Sequence, residues 1–202
     1  MSEIDYKWNC FLDAADEFLI AYAKISLGAT VPIQLFIIGH AVELYLKAAN
    51  AKITGDVNKS VKFGHNLYGL WKACKTDSTF MPNFEIRESL FKIPFYEEDI
   101  YKKCSEEEST HFIENNNLYT IMKHQMDLKY GGAPFKTIKG GYMMLCLCHN
   151  PYWIKFFKEI RKFLKYPSEN NADHIKFQIQ NGYLTNEAKN YLEQLYHECP
   201  LK

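Results

Sequence analysis

The sequence predicts an all-α protein, and three observations support this prediction. Apolar residues recur at intervals of three and four along successive segments, as they do on one face of an α-helix. Glycine and proline residues separate these segments where helices would end or begin. Hydrophobic residues make up 47% of the 202 residues, and a chain of this length can bury about 70% of its unfolded surface. We therefore expect one domain over residues 1–202, with a core over about 1–132 and an elaboration over about 133–202.

Two long helices are predicted in the amino-terminal part, joined by a short link. The first covers about 4–26, with apolar residues from Trp8 to Ile25 along one face. The charged residues expected on its other sides are Asp13, Asp16, Glu17 and Lys24. The second helix covers about 32–52 and begins near Pro32, whose missing amide costs nothing in a first turn. Because the link is short, the two helices should be antiparallel neighbours.

The rest of the chain predicts further helices and one hairpin. A polar, glycine-bounded loop over 54–64 precedes a third, shorter helix. The apolar positions of that helix are Leu67, Leu70, Trp71 and Cys74. A fourth core helix is expected over about 109–128, and the alternation around a Gly-Gly pair at 135–145 predicts a small β-hairpin. Extra helices over about 151–166 and after Thr185 complete the elaboration, with the stretch between them weakly patterned.

Charge and cysteine usage exclude several classes of protein. Twenty-four basic and 24 acidic side chains cancel, so no overall field draws the chain to nucleic acid or to a membrane surface. The most apolar run is far shorter than the ~20 residues of a membrane helix. The six cysteines form no CxxC pair, and the amino terminus is acidic rather than signal-like. We expect a cytoplasmic protein with free thiols and no membrane partner.

One polar line runs along the otherwise apolar second helix. At 100° per residue, His40, Glu43, Lys47 and Asn50 fall within a sector of about 80°. A short antiparallel return would bring His65, at the start of the third helix, back toward this line. Two simpler interpretations are an ordinary surface pair of Glu43 with Lys47, and a buried hydrogen-bonded network that fixes helix register.

The same residues carry a resemblance to a known superfamily. The segment PIQLFIIGHAVELYLKAANAKITG, followed by KSVKFGHNLYGLW, resembles the HEPN superfamily, in the branch with an E-x-x-x-K helix and a G-H-x-L helix start. LKYGG, with Lys129, stands where that branch often has a basic-aromatic pair. The resemblance is good over about 1–75, looser to 132 and absent beyond. It implies an up-and-down bundle of four to five helices, often assembled as a homodimer.

The resemblance implies three different functions. HEPN proteins include metal-independent ribonuclease toxins of toxin-antitoxin and anti-phage systems, nucleotide-binding modules, and non-catalytic partners of nucleotidyltransferases. The ribonucleases carry an arginine and a histidine with four to six residues between them, a pair that this sequence lacks. Lys59, which precedes His65 by six positions, is the nearest substitute, but it supplies a point charge rather than a planar fork.

We therefore predict a homodimeric binding module for a nucleotide or an RNA phosphate, in a stress, toxin-antitoxin or defence context, with no cofactor. The ligand-binding candidates are His40, Glu43, Lys47, His65 and Lys129. One alternative is a ribonuclease in which His65 is the general acid or base, with Lys59 or Lys47 stabilising the phosphate charge. The other is a non-catalytic structural partner of a nucleotidyltransferase.

Metal binding is a weaker interpretation of the same residues. His40, Glu43 and His65 are three side chains of types that bind zinc, but the sequence offers no clear fourth ligand. Cys146, Cys148 and His149 lack the second half of a zinc motif. We therefore predict no metal site.

Overall fold

Five helices can be described in the computed structural model. They are α1 (Glu3–Ile25), α2 (Val31–Thr54), α3 (Val57–Val61), α4 (Leu67–Cys74) and α5 (Pro151–Leu164). The structure describes residues 3–25, 31–80, 105–107, 151–164, 176–177, 179–181, 184, 186, 189–190 and 192–193. These residues are mostly helical and include no strand, which confirms the all-α class for this part of the chain.

The central element is α2, which packs against α1, α3, α4 and α5. Because it has neighbours on several sides, it buries apolar residues around most of its circumference rather than along one stripe. Its fully buried residues include Ile38, Val42, Tyr45 and Leu46, together with small residues such as Ala41 and Ala48. Alanines at such positions let a neighbouring helix approach closely, and α1 contributes Ala15 and Ala23 to the same core. The polar line of α2 therefore lies on a helix whose other residues are mostly apolar and buried.

The last described long helix, α5, completes the core with aromatic side chains. Phe156 and Phe157 are fully buried. Phe157 contacts Tyr45 on α2 with ring centroids 5.3 Å apart, and Phe156 stacks on Trp71 of α4 at 6.2 Å. Lys52 of α2 donates a hydrogen bond to the carbonyl oxygen of Phe163 at 2.7 Å, in the last turn of α5. These contacts join the elaboration to the amino-terminal helices.

The predicted bounds of the first two helices and the apolar positions of the third agree with the structure, but the loop predicted over 54–64 is wrong. That segment contains α3, which begins after Asp56, whose side chain accepts a hydrogen bond from the amide of Asn58. A five-residue helix is too short to show a periodic apolar pattern, so only its cap could have indicated it. Lys59 consequently lies on a helix with its side chain exposed.

Several predicted elements fall outside the described residues, or only partly within them. The helix over 109–128 and the hairpin over 135–145 lie outside them. The helix predicted over 151–166 is confirmed as α5, and residues 186, 189–190 and 192–193 are helical, as expected for the last helix. Residues 176–177 and 179–181 are also helical, although the sequence there is weakly patterned. None of the described helices is long and apolar enough to cross a membrane.

Candidate functional site

The candidate site is centred on Glu43, whose side chain is only 1% exposed. Lys47 Nζ donates a hydrogen bond to Glu43 Oε1 at 2.6 Å. His65 Nδ1 lies 2.9 Å from Glu43 Oε2, and His40 Nδ1 lies 3.9 Å from the same oxygen. Three ionisable side chains from two segments of the chain therefore surround the Glu43 carboxylate. We call His40, Glu43, Lys47 and His65 the polar cluster.

Helix periodicity and one glycine bring these residues together. His40, Glu43 and Lys47 are spaced by three and four residues, so they share one face of α2. Gly64 adopts φ +56°, in the left-handed region that glycine enters without a steric penalty. Asn66 then caps α4 by accepting a hydrogen bond from the amide of Gly69 at 2.8 Å. The sharp turn at Gly64 directs the chain so that His65 faces α2 just before α4 begins.

Opposing effects determine the charge of Glu43. Burial alone would raise the pKa of its carboxyl. Hydrogen bonds from His65 and Lys47, together with the positive charge of Lys47, lower this pKa. The net result is a pKa below the ordinary value for glutamate. Glu43 is therefore an ionised carboxylate at neutral pH. Because a carboxylate only accepts hydrogen bonds, His65 must carry a proton on Nδ1. Its Nε2 lies on the side of the ring away from Glu43.

His40 occupies an aromatic environment at the edge of the polar cluster. Its ring meets Phe18 of α1 in a T-shaped contact with centroids 4.4 Å apart, and it lies parallel to Phe36 at 6.2 Å. The 3.9 Å separation from Glu43 is too long for a hydrogen bond, so this contact becomes an ion pair only when His40 is protonated. The side chains of His40 and His65 are 25% and 29% exposed, respectively. The two imidazoles therefore form the rim of the polar cluster around the buried carboxylate.

The polar line continues from the polar cluster toward α3. Asn50, on the same face of α2, is buried and accepts a hydrogen bond from the Ser60 hydroxyl at 2.9 Å. Thr54 donates to the carbonyl oxygen of Asn50 at 2.8 Å. Ser60 lies on α3 and His65 precedes α4. The polar residues of α2 therefore hold the 55–66 segment against α2 through these two side chains.

The structure therefore brings four of the predicted residues together. The prediction that the chain returns after α2 to place His65 beside Glu43 is confirmed. Lys59 is exposed on α3, six residues before His65. Lys129 lies outside the described residues. Whether any of these residues binds a ligand stays a prediction.

A second group of charged residues is buried between helices and was not recognised in the sequence. The hydroxyl group of Tyr45 donates a hydrogen bond to Asp16 Oδ1, and Arg161 Nη2 lies 3.5 Å from Asp16 Oδ2. All three side chains are at most 1% exposed. Burial raises the pKa of the Asp16 carboxyl, and this effect is opposed by the charge of Arg161 and the hydrogen bond from Tyr45.

The expectation that Asp16 lies on a solvated side of α1 is thus wrong. Asp16 follows Leu12 by four residues and precedes Leu19 by three, so it lies on the buried face. The same spacing relates Arg161 to Phe157 and Leu164 on α5. A charged residue within an apolar stripe was the signal that could have identified each partner.

No model of a known protein family, no curated protein and no solved structure matches this chain. The resemblance to the HEPN superfamily therefore depends on the motif residues alone.

The chemistry available at the polar cluster is that of two imidazoles and one ammonium group. Glu43 balances the charge of Lys47, and protonated imidazoles at the rim would offer N–H donors to an anion. A neutral imidazole oriented by a carboxylate can instead accept a proton. In the part of the chain that the structure describes, no group of three His, Cys, Asp or Glu side chains is placed to hold a metal ion.

Proposed function

We propose that this protein is a HEPN-like binding module whose polar cluster holds a phosphate group of a nucleotide or of RNA. The observation that carries the proposal is the 2.9 Å contact between His65 Nδ1 and Glu43 Oε2. It fixes the imidazole with Nε2 away from the carboxylate, and about a third of the side chain stays exposed. When the ring is protonated, Nε2–H is a fixed, partly exposed donor that needs little ordering when an anion binds.

The buried carboxylate supports this arrangement rather than preventing it. Glu43 is shielded from solvent and already paired with Lys47, so its repulsion of an approaching phosphate is largely compensated. The Nδ1 atoms of His40 and His65 lie 3.9 Å and 2.9 Å from the same Glu43 oxygen, and the two rings supply donors at the exposed rim when they are protonated. A phosphate with several oxygens can accept hydrogen bonds from both rings at once.

Calorimetric titration with AMP and with a single-stranded RNA 12-mer tests the phosphate site. We expect both ligands to bind and to raise the melting temperature, as any ligand selective for the folded state does. His65→Ala and His40→Ala should each weaken binding about tenfold, because each removes one donor to a charged group, worth roughly 1.5 kcal/mol. Lys24→Gln, at an exposed position at the end of α1, is the matched control and should leave affinity unchanged.

Two results would overturn the phosphate site. The first is a melting temperature that neither ligand shifts at about 1 mM, a concentration at which micromolar binding gives several kcal/mol. The second is unchanged affinity in both histidine variants. In either case a purely structural role for the polar cluster, as a network that holds α4 against α2, would be favoured.

The proposal includes a homodimer in a toxin-antitoxin or defence setting, and the resemblance is its support. Sedimentation equilibrium should give twice the chain mass of 23.7 kDa. A mass of one chain at micromolar concentration would contradict the dimer without affecting the phosphate site. A nucleotidyltransferase gene beside the gene for this chain would support the partnership that the resemblance implies.

One observation favours a ribonuclease as a second candidate. A histidine oriented by a buried carboxylate is the arrangement of a general base, and His65 and Glu43 have it. His65 would take the proton of a ribose 2′-hydroxyl, whose oxygen attacks the adjacent phosphorus while the bond to the 5′-oxygen breaks and that oxygen takes a proton from solvent. Lys47 is better placed than Lys59 to stabilise the phosphate charge, because Lys47 belongs to the polar cluster.

RNA digestion and growth on expression test this second candidate. If the protein is a ribonuclease, it should cleave RNA in the presence of a chelator and slow growth, and His65→Ala should abolish both effects. Lys59→Gln should retain cleavage, whereas Lys47→Gln should reduce it. RNA that stays intact with the native protein would exclude the ribonuclease while leaving the binding module in place.

A further inference from the structure

The segment from α3 to the end of α4 concentrates positive charge in a chain that is neutral as a whole. No acidic residue occurs between Asp56 and Asp77, whereas four lysines do. They are Lys59, Lys62, Lys72 and Lys75, and all four side chains are exposed. Glu43, the carboxylate in contact with this segment at His65, is itself buried. The exposed surface contributed by residues 57–76 is therefore basic.

The exposed face of α4 aligns two of these lysines with the polar cluster. Tyr68, Lys72 and Lys75 are separated by four and three residues, which places them along one side of the helix, and His65 lies two residues before the helix begins. The opposite side is buried in the core and carries Leu67, Leu70, Trp71 and Cys74. His65 stands at one end of this exposed line and Lys75 at the other.

An aromatic ring lies between the charges on this face. Tyr68 is half-buried, and Lys72 Nζ lies over its ring at 5.6 Å from the centroid. Lys75 Nζ lies 5.9 Å from the centroid of Trp71, whose ring belongs to the core. Alternation of basic and aromatic side chains is typical of surfaces that follow a single strand, because lysines contact phosphates and rings stack with bases.

We infer that this face of α4 binds single-stranded nucleic acid, RNA or DNA, and extends the phosphate site at His65 into a track for several nucleotides. We call His65, Tyr68, Lys72 and Lys75 the α4 track. At 1.5 Å per residue the helical part of the α4 track, from Tyr68 to Lys75, is about 10 Å long, and phosphates along one strand of a duplex are about 3.4 Å apart along the axis. The α4 track is therefore longer than one mononucleotide requires.

The lysines of the α4 track favour a polyanion as the ligand. Among polyanions, a single-stranded nucleic acid is favoured because its bases can stack on Tyr68. In a duplex the bases are already stacked on each other, so a tyrosine on the protein surface gains little from them. An acidic peptide would pair with the lysines but has no planar base for the ring. The inference rests on the proposed function, because His65 is common to the phosphate site and the α4 track.

Salt-dependent binding of a fluorescent 12-mer, as RNA and as DNA, tests the α4 track. Each lysine that neutralises a phosphate contributes about 0.7 to the slope of log affinity against log salt for a single strand. The variant with Lys72→Gln and Lys75→Gln should therefore bind at least tenfold more weakly and lower this slope by about 1.4. Tyr68→Leu should weaken binding about tenfold with little change in slope. The matched control, with Lys24→Gln and Lys162→Gln, should change neither quantity, and circular dichroism verifies that each variant is folded.

The outcomes separate failure of the α4 track from failure of the phosphate site. Binding that is lost in His65→Ala but unchanged in the lysine variant would overturn the α4 track and leave the phosphate site in place. Equal affinity for duplex RNA or for polyglutamate would also overturn it, because no single-strand recognition would remain. Absence of binding by both AMP and the 12-mers would overturn both proposals. Tighter binding of the RNA than of the DNA 12-mer would identify RNA as the source.

Discussion

Asp16 on α1 and Arg161 on α5 face each other in the core, with Asp16 Oδ2 and Arg161 Nη2 3.5 Å apart and 145 positions between them in the chain. Tyr45 on α2 contacts the same carboxyl group, so three helices meet at one buried acidic side chain. A buried ion pair gives little net stability, but removing one partner is costly because the other charge is left in the core. The contact therefore specifies which face of α5 packs against α1 and α2.

Arg161→Met should destabilise the protein by about 3–5 kcal/mol in urea unfolding at neutral pH, the usual cost of leaving a buried charge without its partner. The exposed neighbour Lys162→Met is the control and should stay within about 0.5 kcal/mol of the native protein. Combining Arg161→Met with Asp16→Leu should recover part of the loss. A loss below about 1 kcal/mol in the single variant would contradict the role of this pair.

The Arg161→Met variant should also respond to pH in a defined direction. The pKa of Asp16 is already raised by burial, and loss of the guanidinium removes an influence that lowers it. A carboxyl whose pKa is raised on folding binds its proton more tightly in the native state, so stability falls as pH rises from the unfolded pKa through the folded one. Urea titrations at pH 4 and pH 7 should show a smaller loss at pH 4. Equal losses of stability at both pH values would mean that the pKa of Asp16 does not differ between the folded and unfolded states.

Glu43 should stabilise the fold with the opposite pH dependence. Its pKa is lowered in the native state, so its contribution is fully present above the ordinary value of 4.5 and is lost as pH falls through the native pKa. Glu43→Gln should cost about 2–3 kcal/mol at pH 7, because two charge-assisted hydrogen bonds are weakened. The difference from the native protein should shrink as the pH is lowered below 4.5. A difference that does not vary with pH would show that the carboxylate charge is unimportant to stability.

The polar cluster could be predicted from the sequence because its determinants are local. Helical spacing alone places His40, Glu43 and Lys47 on one face, and glycine followed by histidine at a helix start indicates a sharp return of the chain. The bounds of α1, α2 and α5 followed from long apolar patterns. The burial of the Glu43 side chain could not be predicted from these patterns, because it depends on which elements cover the middle of α2.

The buried charges and α3 could not be predicted in the same way. Asp16 and Arg161 each interrupt an apolar stripe, but only the packing of α5 against α1 shows that they are partners. The short helix α3 has no pattern of its own and is held by the hydrogen bond between Ser60 and Asn50. Both features depend on contacts between segments that are distant in the chain or too short to carry a period.

Lys52→Met should destabilise the protein by about 1–2 kcal/mol, because Lys52 Nζ donates to the Phe163 carbonyl at the carboxyl end of α5, where a positive charge is favourable. Its ammonium group also lies 4.9 Å from the centroid of the Phe163 ring. Hydrogen exchange should show the last turn of α5 opening more readily in the variant. Lys24→Met, exposed in the last turn of α1, serves as the control. Unchanged exchange in α5 would indicate that the hydrogen bond does not hold that turn.

Gly64→Ala should cost about 1–2 kcal/mol, because φ +56° is unfavourable for a residue with a Cβ atom. A Cβ added at this position meets no atom within 4 Å, so the cost comes from the backbone rather than from a clash. Gly64→Asn should cost less, since asparagine tolerates the left-handed region better than alanine. Urea unfolding of the two variants tests this order, and the His65 ring should keep its nuclear magnetic resonance shifts in Gly64→Asn. If alanine were as stable as glycine, the turn that directs His65 toward Glu43 would not require a left-handed residue.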